Sequence, residues 1–174
     1  MKLKMDYIEI IQWLLVASIG IFFVFFATTA NGQVSSVGED RFCLAQNIYF
    51  ESGNQPLAGR IAVAQVTINR MEDEQFPDSI CGVVYQARMG TNWRGEIYPL
   101  RNKCQFSWFC DGKSDTPTDS RTWVEAVWLA GRVIDLYYPD FTEGALWYHS
   151  DAVTPYWSHQ LNRTVTIDNH LFYN

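Results

Sequence analysis

Apolar positions along the chain fall into runs with distinct periods, and each period predicts an element. From Trp13 to Ala30 the sequence "WLLVASIGIFFVFFATTA" runs for eighteen residues without a charge. With Ile10, Ile11 and Gln12 it reaches the ~20 apolar residues that a bilayer-spanning helix needs. The stretch "NGQVSSVGED", 31–40, is polar and rich in Gly and Ser, as a linker is. In "RFCLAQNIYFES", Phe42, Ala45, Ile48 and Tyr49 recur at three-and-four spacing, which predicts a helix capped by Asp40 and ended by Gly53. "AGRIAVAQVTINRM" is apolar nearly all round and predicts a buried helix. "FPDSICGVVYQ" reads as a turn at Pro77 followed by a short helix from about Asp78 or Ser79.

The middle of the chain, Ala87 to Thr118, has no helical period. There "CQFSWFCDGKSD" interleaves aromatic and polar residues, which suits a short hairpin or the wall of a cleft. A helical period returns in "DSRTWVEAVWLAGRVIDLYY", through Trp123, Val127, Ala130 and Ile134, with Asp119 or Ser120 as the cap. "GALWYHS" and "RTVTIDNHLFYN" alternate and predict strands. The expected fold class is α+β: a mainly helical domain over 41–174 with a small antiparallel sheet, preceded by an apolar helix within 1–30 and a linker over 31–40.

Composition narrows the function classes. Of 174 residues, 48% are hydrophobic and 16% aromatic, enough for one domain with a real core and too aromatic for a disordered chain. The formal charge of −6 comes without a long basic run, which disfavours a nucleic-acid partner. Lys2 and Lys4 ahead of the apolar run favour a cytoplasmic N-terminus and an exported remainder, periplasmic or in the cell envelope. "TTA" ending at Ala30 also fits a cleavage site, so a retained signal-anchor in the membrane and a removed signal peptide both stay open. Export gives the four cysteines, Cys43, Cys81, Cys104 and Cys110, a reading as two disulfides. All three pairings remain open, Cys104 and Cys110 being near enough for a local loop, and no pair has the short spacing of a structural zinc site.

The candidate chemistry centres on Glu51 in "NIYFESGNQP". A carboxylate in the last turn of a helix faces unpaired carbonyls, and aromatic neighbours desolvate it further. Both effects raise its pKa and hold a proton near neutral pH, as a general acid at a glycosidic oxygen requires.

The blocks "CLAQNIYFESGNQPLAGRIAVAQVTINR", "FPDSICGVVYQ", "CQFSWFCDG", "GALWYHS" and "HLFY" resemble, in order and spacing, the SleB/CwlJ cell wall hydrolases of bacteria and phages. The resemblance runs from Phe42 to Tyr173. It implies a lysozyme-related domain, a catalytic glutamate at Glu51, peptidoglycan glycan strands as partner, and a lytic transglycosylase that needs no metal or cofactor. Many relatives read "EARGE" where this chain has "ESGNQ", so Ser52 and Asn54 mark a departure that bears on substrate contacts. A monomer is expected.

Further candidates follow from residue type. Gln105 and Ser107 suit an acetamido group, Tyr148 suits orienting the glutamate or touching the sugar, and Phe106, Trp108 and Trp157 suit stacking on sugar faces. Asp111 is the candidate second carboxylate, which would favour a muramidase. His149, His159 and His170, with Asp151, raise a zinc amidase, although no "HExxH" occurs, and serine chemistry lacks "GxSxG". A wall-binding module without activity is the non-enzymatic alternative. Envelope remodelling, germination and phage lysis as an endolysin all fit an exported wall enzyme.

Overall fold

The computed structural model describes residues 37–174. The chain divides into two compact units, 1–38 and 39–174. The first lies almost wholly outside the described residues, and with it the apolar segment. Among the described residues no helix is long and apolar enough to cross a membrane.

The first helix, α1, covers 37–52. It is followed by α2 (Leu57–Glu72) and α3 (Ile80–Val84). A hairpin comes next, β1 (Ala87–Thr91) and β2 (Ile97–Cys104), then a 3-10 turn, Ser107–Cys110. Helix α4 spans Ser120–Ile134. The chain closes with β3 (Trp147–Ser150), a 3-10 turn at Tyr156–His159, β4 (Arg163–Ile167) and β5 (His170–Tyr173). The last three strands form an antiparallel sheet in the order β3-β5-β4, and β1 and β2 pair apart from it. The α+β class expected from the sequence is what the chain adopts.

Several predicted features differ in detail. Helix α1 is already under way at 37, so Asp40 lies inside it and does not cap it. The residues before Arg41 contain no proline, and acids such as Glu39 and Asp40 are well tolerated in the N-terminal part of a helix. Its buried surface is also wider than the predicted stripe. Residues 43–48 are buried on every side, while Phe42 is exposed. The polar members of that run are pinned: Asn47 donates to the Thr67 hydroxyl at 3.0 Å and accepts from Trp108 Nε1 at 3.1 Å, and Gln46 donates to the Asp115 carbonyl at 3.1 Å.

Cys104 ends β2, paired with Ala87, and the following "QFSWFC" forms no strand. The disulfide Cys104–Cys110 spans a sequence separation of 6, and between its cysteines the chain winds into a 3-10 turn. The hairpin is built just before it, from residues for which the sequence predicted no element. "RTVTIDNHLFYN" is two strands, reversed at Asp168, whose φ of 52° is a turn conformation.

Helix α2 is apolar all round because it faces two cores. One side packs with α1, α3, α4 and Phe106 and Trp108 around Leu44, Ile48, Val83 and Leu129. Its Ala62 and Val66 pack on Ala145 and Phe172 of the sheet side. The stripe of α4 that enters the first core is Ala126, Leu129, Ala130 and Val133, and Asp119 caps the helix by accepting from Thr122 N–H at 2.7 Å.

The second disulfide, Cys43–Cys81, ties α1 to α3 across a sequence separation of 38. Loop-closure entropy assigns such a link about 4 kcal/mol. Replacing both cysteines by Ala is expected to lower the urea-unfolding free energy by roughly this amount. An unchanged midpoint would show that the link adds no stability.

Candidate functional site

Three elements bring one side chain each to a common place. Glu51 stands in the last turn of α1, Arg70 in the last turn of α2, and Tyr148 in β3. The end of α1 is set by Gly53, where a Cβ would lie 2.5 Å from the Tyr49 carbonyl oxygen, so no larger residue fits without moving the helix end. The Tyr49 hydroxyl accepts from the backbone N–H groups of Thr118 and Asp119 at 3.1 and 3.0 Å, which fastens this end of α1 to the start of α4. Ser52 is fully buried and donates to the Ile48 carbonyl at 3.0 Å. Its departure from the family pattern therefore falls on the packing side of the helix and not on a substrate contact. Asn54 is exposed, with its side chain accepting from Gln55 at 3.4 Å.

Tyr148 Oη donates to Glu51 Oε2 at 3.2 Å. Burial raises the Glu51 pKa above its ordinary 4.5, while the Tyr148 hydrogen bond and the Arg70 charge pull it down. The direction agrees with the sequence argument, and burial is the main cause. Burial also lifts the Tyr148 phenol well above 10, with the Glu51 charge adding to it, so the phenol stays a hydrogen-bond donor.

Arg70 is the member that sequence reasoning missed. It is buried, donates from Nε to the Leu146 carbonyl at 2.7 Å, and lies between the rings of Phe76 at 5.5 Å and Phe106 at 5.1 Å. With its amide oxygen toward the guanidinium, Gln105 accepts from the two terminal nitrogens at 3.1 and 3.3 Å. Burial lowers the Arg70 pKa, and the charges of Tyr148 and Glu51 oppose that fall. The signal was present in "INRM": a cation in a largely buried helix must have partners.

Glu51 opens onto a cavity of about 300 Å³. Phe50 and Trp108, stacked with ring centroids 4.8 Å apart, form one part of its lining, and Ser107, Asp111, Lys113, Ser114 and Asp115 form the rest. The structure thus gathers Glu51, Ser107, Trp108 and Asp111 from the predicted residues, with Tyr148 behind the carboxyl. Phe50, in the same short stretch as Glu51, was overlooked.

Other candidates lie elsewhere. Phe106 is buried under the Arg70 guanidinium, and Gln105 is turned to the same group, so neither lines the cavity. Trp157 packs edge-on against His149 and Tyr173, each at 5.5 Å, and is also absent from the lining. His149 donates from Nδ1 to the Ser150 carbonyl at 2.8 Å, which leaves Nε2 to accept from the Tyr173 hydroxyl at 2.9 Å. Its lone pair is therefore occupied. His170 is buried with its ring edge-on to Tyr148, whereas His159 and Asp151 are exposed. Among the described residues no three His, Cys, Asp or Glu side chains come together as metal ligands would.

The carboxylates in the cavity differ in environment. Asp111 Oδ1 accepts from Lys113 N–H at 2.8 Å and Oδ2 pairs with Lys113 Nζ at 3.3 Å, and these contacts hold its pKa below the ordinary value. Asp115 is shifted upward by partial burial and by the charge of Asp111. The cavity is therefore lined by one carboxyl shifted upward in pKa, Glu51, and one shifted downward, Asp111.

A raised pKa in the folded state has a consequence for stability. Between 4.5 and the folded pKa of Glu51 the folded state binds more protons than the unfolded, so stability falls as pH rises through that window. Glu51→Gln is expected to melt at a higher temperature than the parent at neutral pH, with the gap closing below about pH 4. A gap independent of pH would remove burial of the Glu51 charge as its origin.

A family model described as "Cell Wall Hydrolase" matches residues 54–173. The spore cortex-lytic enzyme of Bacillus subtilis (strain 168) is 35% identical over 78 residues, which are 44% of this chain and 26% of that protein. That of Halalkalibacterium halodurans is 40% identical over 43 residues, 25% of this chain and 13% of the relative. The matched stretches thus span about a quarter or less of these curated relatives. Among solved structures, the catalytic domain of the Bacillus cereus SleB protein aligns with a TM-score of 0.54 and 27% identity, over 78% of this chain and 91% of that one. The catalytic domain of the germination-specific lytic transglycosylase SleB from Bacillus anthracis aligns with a TM-score of 0.57 and 28% identity, over 78% and 93%.

Proposed function

The chain belongs to the cell wall hydrolase family, and from that premise we propose that it cleaves the glycosidic bond between N-acetylmuramic acid and N-acetylglucosamine in peptidoglycan, as a lytic transglycosylase. The observation that carries this reading is the half-buried Glu51 carboxyl, raised in pKa and hydrogen-bonded by Tyr148 where it opens onto a cavity. The similar Bacillus anthracis protein is itself a lytic transglycosylase by description, which supports the same chemistry here.

Because Tyr148 donates to Oε2, the acid proton sits on Oε1. Glu51 gives that proton to the glycosidic oxygen as the bond to the muramic anomeric carbon breaks, and becomes a carboxylate. The carboxylate then takes the proton of the muramic 6-hydroxyl. The freed oxygen closes onto the anomeric carbon to form the 1,6-anhydro ring, and Glu51 ends protonated as it began. The hydroxyl is part of the substrate, so no positioned water is needed. Tyr148 and Arg70 oppose the effect of burial and steady the carboxylate formed midway.

A second reading has an observation of its own. Asp111 lines the same cavity and is held ionised, so the two carboxyl groups are pushed apart in pKa as an acid and a base would be. With Asp111 activating a water, the enzyme would be a muramidase and leave reducing ends. The setting we infer is outside the cytoplasm, with residues 1–30 exporting or anchoring the wall-cleaving domain.

Mass spectrometry of digested peptidoglycan tests the reading. Anhydro-muramyl ends are expected, and reducing ends lost in Asp111→Asn would establish the muramidase instead. Glu51→Gln is expected to reduce turnover by about 10²–10⁴-fold. Retained turnover would exclude Glu51 as the acid. Tyr148→Phe removes a contact that lowers the Glu51 pKa, so the alkaline limb of the activity profile is expected to move to higher pH. A limb that stays in place would separate Tyr148 from the proton on Glu51.

A further inference from the structure

The β1–β2 hairpin does not line the cavity, although the Arg101 charge contributes to lowering the Asp111 pKa, and its chemistry is unlike the rest of the chain. It carries Arg88, Arg94, Arg101 and Lys103 against a single carboxylate, Glu96, in a chain whose formal net charge is −6. Both strands pair only with each other, and the main packing partner of β2 beyond its own hairpin is the 3-10 turn at Ser107–Cys110. Eight residues of β2 carry the arm outward by roughly 25 Å.

Its apolar residues are left in water. Trp93 is 87% exposed and Ile97 71%. Met89 and Ile97 lie on one face, because Met89 is paired with Pro99 and Ile97 with Thr91. The tip is ordered by its own contacts: Asn92 Oδ1 accepts from Arg94 N–H at 2.9 Å and Glu96 N–H at 3.0 Å, and Gly95 turns with φ +80°. Arg94 lies over the Trp93 ring at 4.7 Å. A tip built this way presents a ring and a cation together, without an ordering cost on binding.

The base of the arm is continuous with the cavity. The Cys104–Cys110 disulfide joins the end of β2 to the turn whose Ser107 and Trp108 line the Glu51 cavity. A ligand long enough to leave the cavity on that side would meet the hairpin next. We propose that the hairpin is a second binding arm that grips the anionic peptide stems of the same peptidoglycan strand whose sugars occupy the cavity. This rests on the glycan-cleaving reading above. Stem peptides carry free carboxylates that match the four cations, and their alkyl side chains match Met89 and Ile97. A bilayer would also attract the cations, but nothing connects a bilayer to the cavity wall, whereas a substituted glycan strand reaches both surfaces.

The test uses the full-length Glu51→Gln protein, which binds without consuming the polymer, and purified sacculi either intact or stripped of stem peptides by an amidase. Intact sacculi are expected to retain the protein roughly tenfold better than stripped ones, with the difference shrinking as salt rises. Changing Arg88, Arg94, Arg101 and Lys103 together to Gln is expected to abolish that difference and leave the melting temperature in place. Trp93→Ala, a single surface change, is expected to weaken retention on intact sacculi alone. Equal retention of both polymers, or unchanged retention by the fourfold variant, overturns the proposal. Binding to phosphatidylglycerol vesicles that the fourfold change removes, with sacculus binding untouched, overturns it in favour of a membrane. With Glu51 restored, the fourfold variant is expected to cleave short stem-free glycans as the parent does. If the parent cleaves no glycan the catalytic reading fails by itself, while the preference for stems is still read from the sacculi.

Discussion

A guanidinium held away from water at the end of α2 organises the surroundings of the site. Burying a cation is costly unless it finds both charge and hydrogen-bond partners. Arg70 meets that demand with the Leu146 carbonyl, the Gln105 amide and the faces of Phe76 and Phe106, and any charge that Glu51 takes on adds to them. These groups come from α1, the segment after β2, and the approach to β3. Satisfying one buried charge therefore fixes the approach of several chain segments and, with them, the place of Glu51.

The same arrangement gives Glu51 opposed influences. Burial alone would hold the proton too firmly for it to leave, and a close cation alone would strip it off. Here burial prevails, with Tyr148 and Arg70 limiting the rise. Tyr148 belongs to β3 and packs beside both hydrophobic clusters, so its hydroxyl is aimed by a strand that is itself held by Phe172. The donor that sets the carboxyl is thus as rigid as the fold around it.

What could be read from the sequence follows from which interactions are local. The helix around Ile61 to Ile68 was legible because it is apolar nearly all round, that from Trp123 to Ile134 because burial of one face imposes a period, and Glu51 because a helix end is a local event. Arg70 was not. Its partners are about 76 residues away at Leu146 and on Gln105, and no window of sequence joins them. Phe106 and Gln105 were read as cavity residues because an aromatic and an amide near a turn suit a sugar, but the buried cation had the stronger claim on both. The hairpin was missed for a different reason: it buries little, so its strands carry Arg88, Arg101 and Lys103 where a half-buried strand would show alternation. Its turn residues, Asn92 and Gly95, were the only local sign.

The central claim is that the protein's own packing raises the pKa of Glu51. The direct measurement is a carboxyl carbon NMR titration of protein labelled with ¹³C at glutamate, with the Glu51 resonance assigned by its loss in Glu51→Gln. The account predicts a midpoint above 4.5 and above the midpoints of the solvent-exposed glutamates. A midpoint at or below 4.5 would contradict it.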